Sequence, residues 1–378
     1  MRKVAVAQVA QNAGGESKES LSDLTFRVSK EVLDKSDIKR KEIDSVILVG
    51  SDIFHSGLSC ANAYDWDGAG GYMKNGSRCE ESLMALAYGM MRIMTGDYDT
   101  VLITSIVKGS ENPDYEITSQ YFSDPFYQRP VGINETTAAG LQMKAYMNAY
   151  GITEEQCAKV VVKNLGNAIF NPYAHIKKRV TVEDILKSDI VSYPLKAMEC
   201  GPKSDGIVSA LLCSEEKVRK LTNKPVWIKG YGSAMDRTNI GDRDLLNTSL
   251  KLATRRAYEM ASISNPRKEI DLAEISEPYA FQELLWLEQM GLCDAGQGGK
   301  FIDSGMTRTN GKFPVNASGG VLANNPYVSR GLQRVVEAVL QIRRDAGEHQ
   351  VDRPVKTAVV QSTQGCAGQF NAVAILEG

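Results

Sequence analysis

Apolar residues recur at helical spacing through Leu83, Met84, Leu86, Ala87, Met90, Met91 and Met94, and the run stops at Gly96. Residues 98–104 follow with the β-rich composition of a strand. Further forward, residues 4–9 read as a strand, 20–36 as a helix and 42–49 as a second strand. The same order returns later in the chain: a strand from 226, a helix over 245–262 and a strand over 269–275. Each series continues through a glycine-rich turn, a long helix and a strand, over residues 79–104 in one and 318–361 in the other. Strands alternating with amphipathic helices predict α/β layers, and the repeat predicts a duplication of one unit.

Between the two series, over about residues 105–220, the pattern loosens. Pro113, Pro125, Pro130 and Pro172 punctuate it, with short helices expected near 137–150 and 182–188. An excursion of that length reads as an inserted cap carrying a binding surface. The expected division is therefore a first half over 1–225 that includes the cap, and a second half over 226–378. The strand near 101–105 is expected at the edge of its half-sheet, which predicts a homodimer formed by edge pairing.

Composition narrows the function. The formal net charge of −2 and the lack of a dense Lys/Arg stripe argue against a nucleic-acid surface. No apolar stretch reaches the roughly 20 residues that span a bilayer. The short apolar run after Met1 reads as a strand and not as a signal segment. Seven cysteines without paired spacing fit a reducing cytoplasm, and no Cys/His cluster predicts a metal.

Among those cysteines Cys79 stands out, after the glycine-containing turn Asn75-Gly76-Ser77-Arg78 and directly before the helical run. A thiol at a helix N-terminus meets unpaired N–H groups and the positive dipole end, which favour a nucleophilic thiolate. Glu81 beside it reads first as a solvated helix-start charge and second as a candidate base. Cys366, in Gly365-Cys366-Ala367-Gly368 after a strand, is a candidate for the second proton transfer.

Several motifs together resemble the thiolase superfamily, with the archaeal and sterol-carrier-protein-like thiolases closest. They are Cys79 with Ala85, Gly96 and Asp99, then Lys163-Asn164 and Asn171-Pro172-Tyr173-Ala174, then Ser204-Asp205-Gly206. Glu274 to Gln282, Val315 to Gly320 with Asn324-Asn325-Pro326, and Cys366-Ala367-Gly368 complete the order. The resemblance implies two βαβαβαββ halves in an α-β-α-β-α arrangement with an inserted cap. It implies thiolytic cleavage of a 3-oxoacyl-CoA, with coenzyme A as co-substrate and no bound cofactor. The N–H groups of Cys79 and Gly368 would form one oxyanion hole, and Asn325 with Ser276 the other.

The departures from the family pattern are specific. Asn325 stands where the family has its catalytic histidine, and Ser276 where it has asparagine. His55, His175 and His349 fall in no catalytic motif. An amide can donate a hydrogen bond but cannot exchange a proton at neutral pH. Glu81, Glu277 and Cys366 are the groups left to do so. An altered pocket agrees with an aromatic or carboxylated branched substrate such as 2-benzoylsuccinyl-CoA. Lys163 and Lys203 are candidates for the coenzyme A phosphates. A non-catalytic acyl-CoA or lipid carrier is the alternative. The resemblance also raises a small zinc-ribbon and OB-fold partner protein, on which an acetoacetyl-CoA-type activity could depend.

Overall fold

The computed structural model describes residues 2–54 and 65–378, so His55 and Cys60 lie outside the described residues. Its centre is a nine-stranded sheet. The first half contributes β1 (Val4–Gln11), β2 (Ser45–Val49), β3 (Asn75–Cys79), β4 (Thr100–Ser105) and β5 (Val208–Ser214). The second contributes β6 (Val226–Met235), β7 (Leu272–Glu274), β8 (Thr357–Gln364) and β9 (Phe370–Glu377). Across the sheet the order is β3-β2-β4-β5-β1-β6-β9-β8-β7.

The repeat is visible in the pairing. β1 runs antiparallel to β5, β5 antiparallel to β4, and β4 parallel to β2. In the same sequence β6 runs antiparallel to β9, β9 antiparallel to β8, and β8 parallel to β7. Among the described residues, the half-sheets meet only where β1 touches β6, at Ala5↔Trp227 and Val6↔Val226.

Helices α1 (Leu21–Lys35) and α2 (Ser82–Thr95) belong to the first half; α5 (Leu250–Ala261), α6 (Ala280–Gln289) and α7 (Arg330–Arg343) belong to the second. The apolar faces sort them into layers. Leu83, Leu86 and Ile93 of α2 share one core with Leu332, Val335 and Val339 of α7. That core also takes Ile47 and Ile103 from one half-sheet and Ala358 and Val360 from the other. The outer face of the first half-sheet packs on Leu24, Val28 and Val32 of α1. The outer face of the second packs on Ala253 and Ala257 of α5 and Phe281 and Leu284 of α6. Five layers result, α-β-α-β-α, with α2 and α7 in the middle. Each buried leucine or valine here stabilises by about 1.5–3 kcal/mol before chain entropy is counted.

The cap supplies α3 (Glu135–Tyr150) and α4 (Glu154–Ala168), which pack on the α6 side through Met143, Tyr146, Val161 and Leu165. The helices expected near 137–150 and 182–188 are present as Glu135–Tyr150 and Val182–Leu186.

Three expectations are corrected. The strand at 100–105 is internal, hydrogen-bonded to β2 and β5; β3 is the edge of the first half. The cap closes before residue 208, because Val208–Ser214 is a core strand between β4 and β1. Asn75–Cys79, read as a turn, is a strand in parallel register with β2, its polar sequence befitting an exposed edge. Among the described residues, no helix is long and apolar enough to cross a membrane.

Candidate active site

Cys79 is the last residue of β3, paired with Val49, and helix α2 begins three residues later. The N-cap of α2 is Glu81, whose carboxylate accepts from the N–H groups of Leu83 (3.1 Å) and Met84 (2.6 Å). The dipole end is therefore occupied by a carboxylate and not by the thiol. The Cys79 Sγ donates to the carbonyl of Glu81 at 3.1 Å and is 7% exposed. Burial, with the charges of Glu81 and Glu80 adding to it, pushes the thiol up to about 11. Burial likewise pushes Glu81 upward, against its bonds to Ser362 and to the helix N–H groups. This corrects the expectation that helix-start geometry lowers the Cys79 pKa.

The β8–β9 turn carries Cys366 to the same neighbourhood. Gln364 Nε2 donates to the carbonyl of Glu80 at 3.1 Å, so the two cysteine-bearing turns abut. Gly365, Ala367 and Gly368 all have positive φ (77°, 50° and 67°), and alanine is strained there. The turn is held from outside: Arg243 donates to the Cys366 carbonyl at 2.7 Å and Gln142 to that of Ala367 at 3.3 Å. The Cys366 Sγ lies 3.4 Å from Ser123 Oγ. Burial pushes this thiol, too, up to about 11. The Gly368 N–H is directed to the Gly365 carbonyl at 3.2 Å, closing the turn.

Asn325 is 8% exposed and is fixed by its neighbours. Its N–H donates to Ser204 Oγ at 3.1 Å, and its Oδ1 accepts from Arg330 Nε at 2.6 Å. With Arg330, Tyr115, Tyr279 and Lys203 it lines a cavity of about 450 Å³ between the cap and the second half. A side chamber of about 40 Å³ shares Asn325, Tyr115 and Lys203 and adds Phe54 and Tyr327. Phe54 and Tyr327 stack with centroids 3.9 Å apart. Glu135 ties this aromatic wall to the Cys366 turn. Its carboxylate accepts from the Tyr327 hydroxyl (2.6 Å), the Tyr115 hydroxyl and the Gly365 N–H (3.0 Å). Cys79 is not among the residues lining either space. Two other hollows, of about 470 and 590 Å³, lie beside Trp227 and His349 and hold none of the candidates.

The other candidates occupy different ground. Ser276 is fully buried, and its Oγ has no hydrogen-bond partner among the described residues. Its N–H donates to Gln361 Oε1, and its carbonyl accepts from Trp286 Nε1. Glu277 accepts from Asn164 (3.0 Å) and from the Leu322 N–H (3.2 Å), which makes it a brace for the loop leading to Asn325. Burial, with the Glu283 charge adding to it, pushes Glu277 up to about 8. Lys163 is an internal ion pair with Glu283 (2.9 Å) and also donates to the Val315 carbonyl (2.8 Å). That commitment takes its ammonium away from any phosphate. Lys203 stands exposed at the cavity mouth and reaches the Asn112 carbonyl at 3.4 Å. Of the described histidines, His175 bonds Ser204 and His349 pairs with Glu337.

Sequence reading missed Arg330, Tyr115, Tyr327 and Glu135. The first and third lie within five residues of Asn325, in Asn325-Pro326-Tyr327-Val328-Ser329-Arg330. An arginine is ordinarily assigned to solvent, and nothing local in the sequence overrides that default.

Residues 232–378 match the family model described as "Thiolase C-terminal domain-like". The acetyl-CoA acetyltransferase of Methanothermobacter thermautotrophicus is 32% identical over 277 residues, 72% of each chain. Benzoylsuccinyl-CoA thiolase subunit BbsB of Thauera aromatica is 30% identical over 228 residues, 60% of this chain and 59% of that one. In fold, the chain resembles the solved structure of the Ltp2-ChsH2(DUF35) aldolase, with a TM-score of 0.86 at 21% identity, covering 100% and 98% of the two chains. With these motifs, this five-layered fold and these relatives, the chain belongs to the thiolase superfamily and is an acyltransferase of the thiolase kind.

Proposed function

We propose that this protein cleaves a 3-oxoacyl-CoA thiolytically, with Cys79 as nucleophile and Cys366 as the second proton-transfer group. The observation that carries the reading is the contact of the two cysteine-bearing turns through Gln364 and Glu80. In the first step the Cys79 thiol hands its proton to Glu81, which returns it when the Cys79 thiolate is released in the second step, while the sulfur bonds to the 3-oxo carbon and the C2–C3 bond breaks. Its electron pair leaves as the enolate of the shorter acyl-CoA, which takes a proton from Cys366. In the second step free coenzyme A attacks the Cys79 thioester, gives its thiol proton to the Cys366 thiolate, and carries the acyl group away. Asn325 is the donor available to a developing oxyanion at the cavity. Glu277 supports the reaction through the loop it braces. Gly368 supports it through the conformation of its turn, and the Ser276 hydroxyl is free to hold a water.

The wall of Tyr115, Tyr279 and Tyr327 favours a substrate with an aromatic or branched acyl group, of which 2-benzoylsuccinyl-CoA is an example. Lys203 at the mouth is the remaining candidate for a coenzyme A phosphate. The working unit proposed is a cytoplasmic homodimer, joined by a small partner of zinc-ribbon and OB-fold type. The DUF35 component named beside Ltp2 in the similar aldolase supports looking for such a partner.

A second reading, a non-catalytic acyl-CoA carrier, is favoured by one observation: no imidazole stands at position 325. Mass spectrometry after incubation with a 3-oxoacyl-CoA separates the two. Cleavage gives an acyl mass on the peptide containing Cys79, lost in Cys79→Ser; a carrier gives intact ligand and unmodified protein.

A further inference from the structure

We infer that Arg330 makes the inner wall of the 450 Å³ cavity a recognition site for a carboxylate on the acyl part of the substrate. The inference rests on the acyl-CoA reading above and narrows its substrate class to acyl groups that carry a second acid. Arg330 opens helix α7 and is 1% exposed, yet it borders the cavity. Its Nε is committed to Asn325 Oδ1 at 2.6 Å. Its Nη2 makes one long contact, 3.5 Å, with the Tyr115 hydroxyl. Its Nη1 is buried without a hydrogen-bond partner among the described residues. The guanidinium carbon lies 4.1 Å from the Tyr327 ring centroid, so stacking fixes the plane of the fork.

No carboxylate forms an ion pair with Arg330 among the described residues. The charge of Glu135 acts on Arg330 and favours its protonated form, but the carboxylate itself accepts from two phenols and the Gly365 N–H and makes no direct bond to the guanidinium. The two other buried arginines of α7 have different anchors, although the Arg334 Nε is also without a hydrogen-bond partner among the described residues. Arg334 pairs with Glu274 at 3.0 Å, and Arg343 is held by the carbonyls of Val6, Ala7 and Lys224. Neither lines the cavity. A buried cation with one end unpartnered is costly unless something anionic arrives. A carboxylate entering the cavity would meet the Nη1 and Nη2 edge, the geometry in which guanidinium and carboxylate form two parallel hydrogen bonds. The charged groups at the mouth are Asp114 and Lys203, which are exposed and screened by solvent, and Glu116, whose carboxyl accepts from Thr136 and is pushed upward by burial. The exposed two act on approach more than on the seated ligand.

Binding of dicarboxylic and monocarboxylic acyl-CoA pairs to the full chain tests this by calorimetry. The probes are glutaryl-CoA against pentanoyl-CoA, and adipyl-CoA against hexanoyl-CoA. The wild type is expected to prefer at least one acid by about tenfold or more. Arg330→Gln should bring that preference within twofold. Arg330→Lys should cut it at least threefold, because an ammonium has no fork, and it serves if the glutamine variant fails to fold. Equal affinities within both pairs in the wild type would overturn the inference, as would a preference that survives the folded variants. Binding is read without turnover. An absent acyl mass on Cys79 would therefore sink the cleavage reading and leave the carboxylate preference standing, and the reverse outcome is equally visible.

Discussion

At the scale of single residues, the chemistry of this site is set by burial more than by sequence position. A thiol near 11 is about 10⁻³ to 10⁻⁴ ionised at neutral pH, so its reactivity follows the thiolate fraction. Alkylation of Cys79 by iodoacetamide is expected to rise about tenfold per pH unit from 8 to 10. A plateau near pH 7.5, measured by peptide mass, would show that the thiol is lowered instead. Asn325→His is expected to reduce activity on the native substrate by about 10- to 100-fold, because imidazole removes the oxygen that holds Arg330 Nε and leaves a buried donor unpaired. A gain on acetoacetyl-CoA would mean that the missing imidazole limits this site. Cys79 and Cys366 were singled out in sequence because each stands next to a regular element, although Cys79 ends a strand and only Cys366 sits in a turn. Arg330 was not, because its burial depends on contacts with Tyr115 and Tyr327 that no local pattern encodes.

Among the elements, α7 departs most from what its sequence suggests. Arg330, Gln333, Arg334, Glu337, Gln341 and Arg343 would ordinarily mark a solvated face, yet all are buried in the middle layer. Their partners come from distant segments: Gln11 for Glu337, Glu274 for Arg334, and His349 for Glu337. The helix itself was predictable; its interior position was not, because its polar partners come from outside the helix, Glu274 and His349 within the second half and Gln11 from the first.

The Glu337–His349 pair (2.9 Å) gives α7 a pH dependence. For His349, burial alone pushes downward, but the Glu337 carboxylate outweighs it and the net shift is up. For Glu337, burial alone pushes upward, and His349 and Arg334 outweigh it, for a net shift down. The histidine contribution is present below the unfolded pKa of about 6.5 and is lost as pH rises through the folded value. The glutamate contribution is present above about 4.3 and is lost as pH falls. The pair therefore contributes most between about pH 4.3 and 6.5. His349→Gln should cost on the order of 2–4 kcal/mol in urea unfolding at pH 6, and less at pH 9. An equal cost at both values would mean that His349 acts by packing alone.

For the whole molecule, the exposed edge is β3, and the flanking segments carry exposed Tyr72 and Met73 before it and Tyr88 and Met91 after it. An unpaired edge beside apolar side chains is a surface that a second copy can cover. Sedimentation at about 10 µM is expected to give a dimer, and Met91→Asp a monomer of unchanged helicity. A wild-type monomer would remove the proposal. The sequence reading placed the edge strand at residues 101–105, whereas the structure has it at 75–79. Alternation of apolar residues identifies a strand without saying which neighbours it will have.

The seam between β1 and β6 is only two residue pairs wide, and the layer shared by α2 and α7 has a consequence for how this chain can be divided. Ser82 of α2 accepts from the N–H of Leu332 in α7 at 3.0 Å, and Gly331 is a residue whose Cβ would meet Glu81 at 2.9 Å. Each half thus leaves its inner surface to be finished by a helix from the other. Expressed alone, residues 1–225 or 226–378 should aggregate. Expressed together from two messages, they should assemble into a soluble complex. Two soluble fragments would show that the halves are still autonomous modules. The expected failure would mean that the repeat, whatever its origin as two copies, now survives only as a single indivisible inheritance.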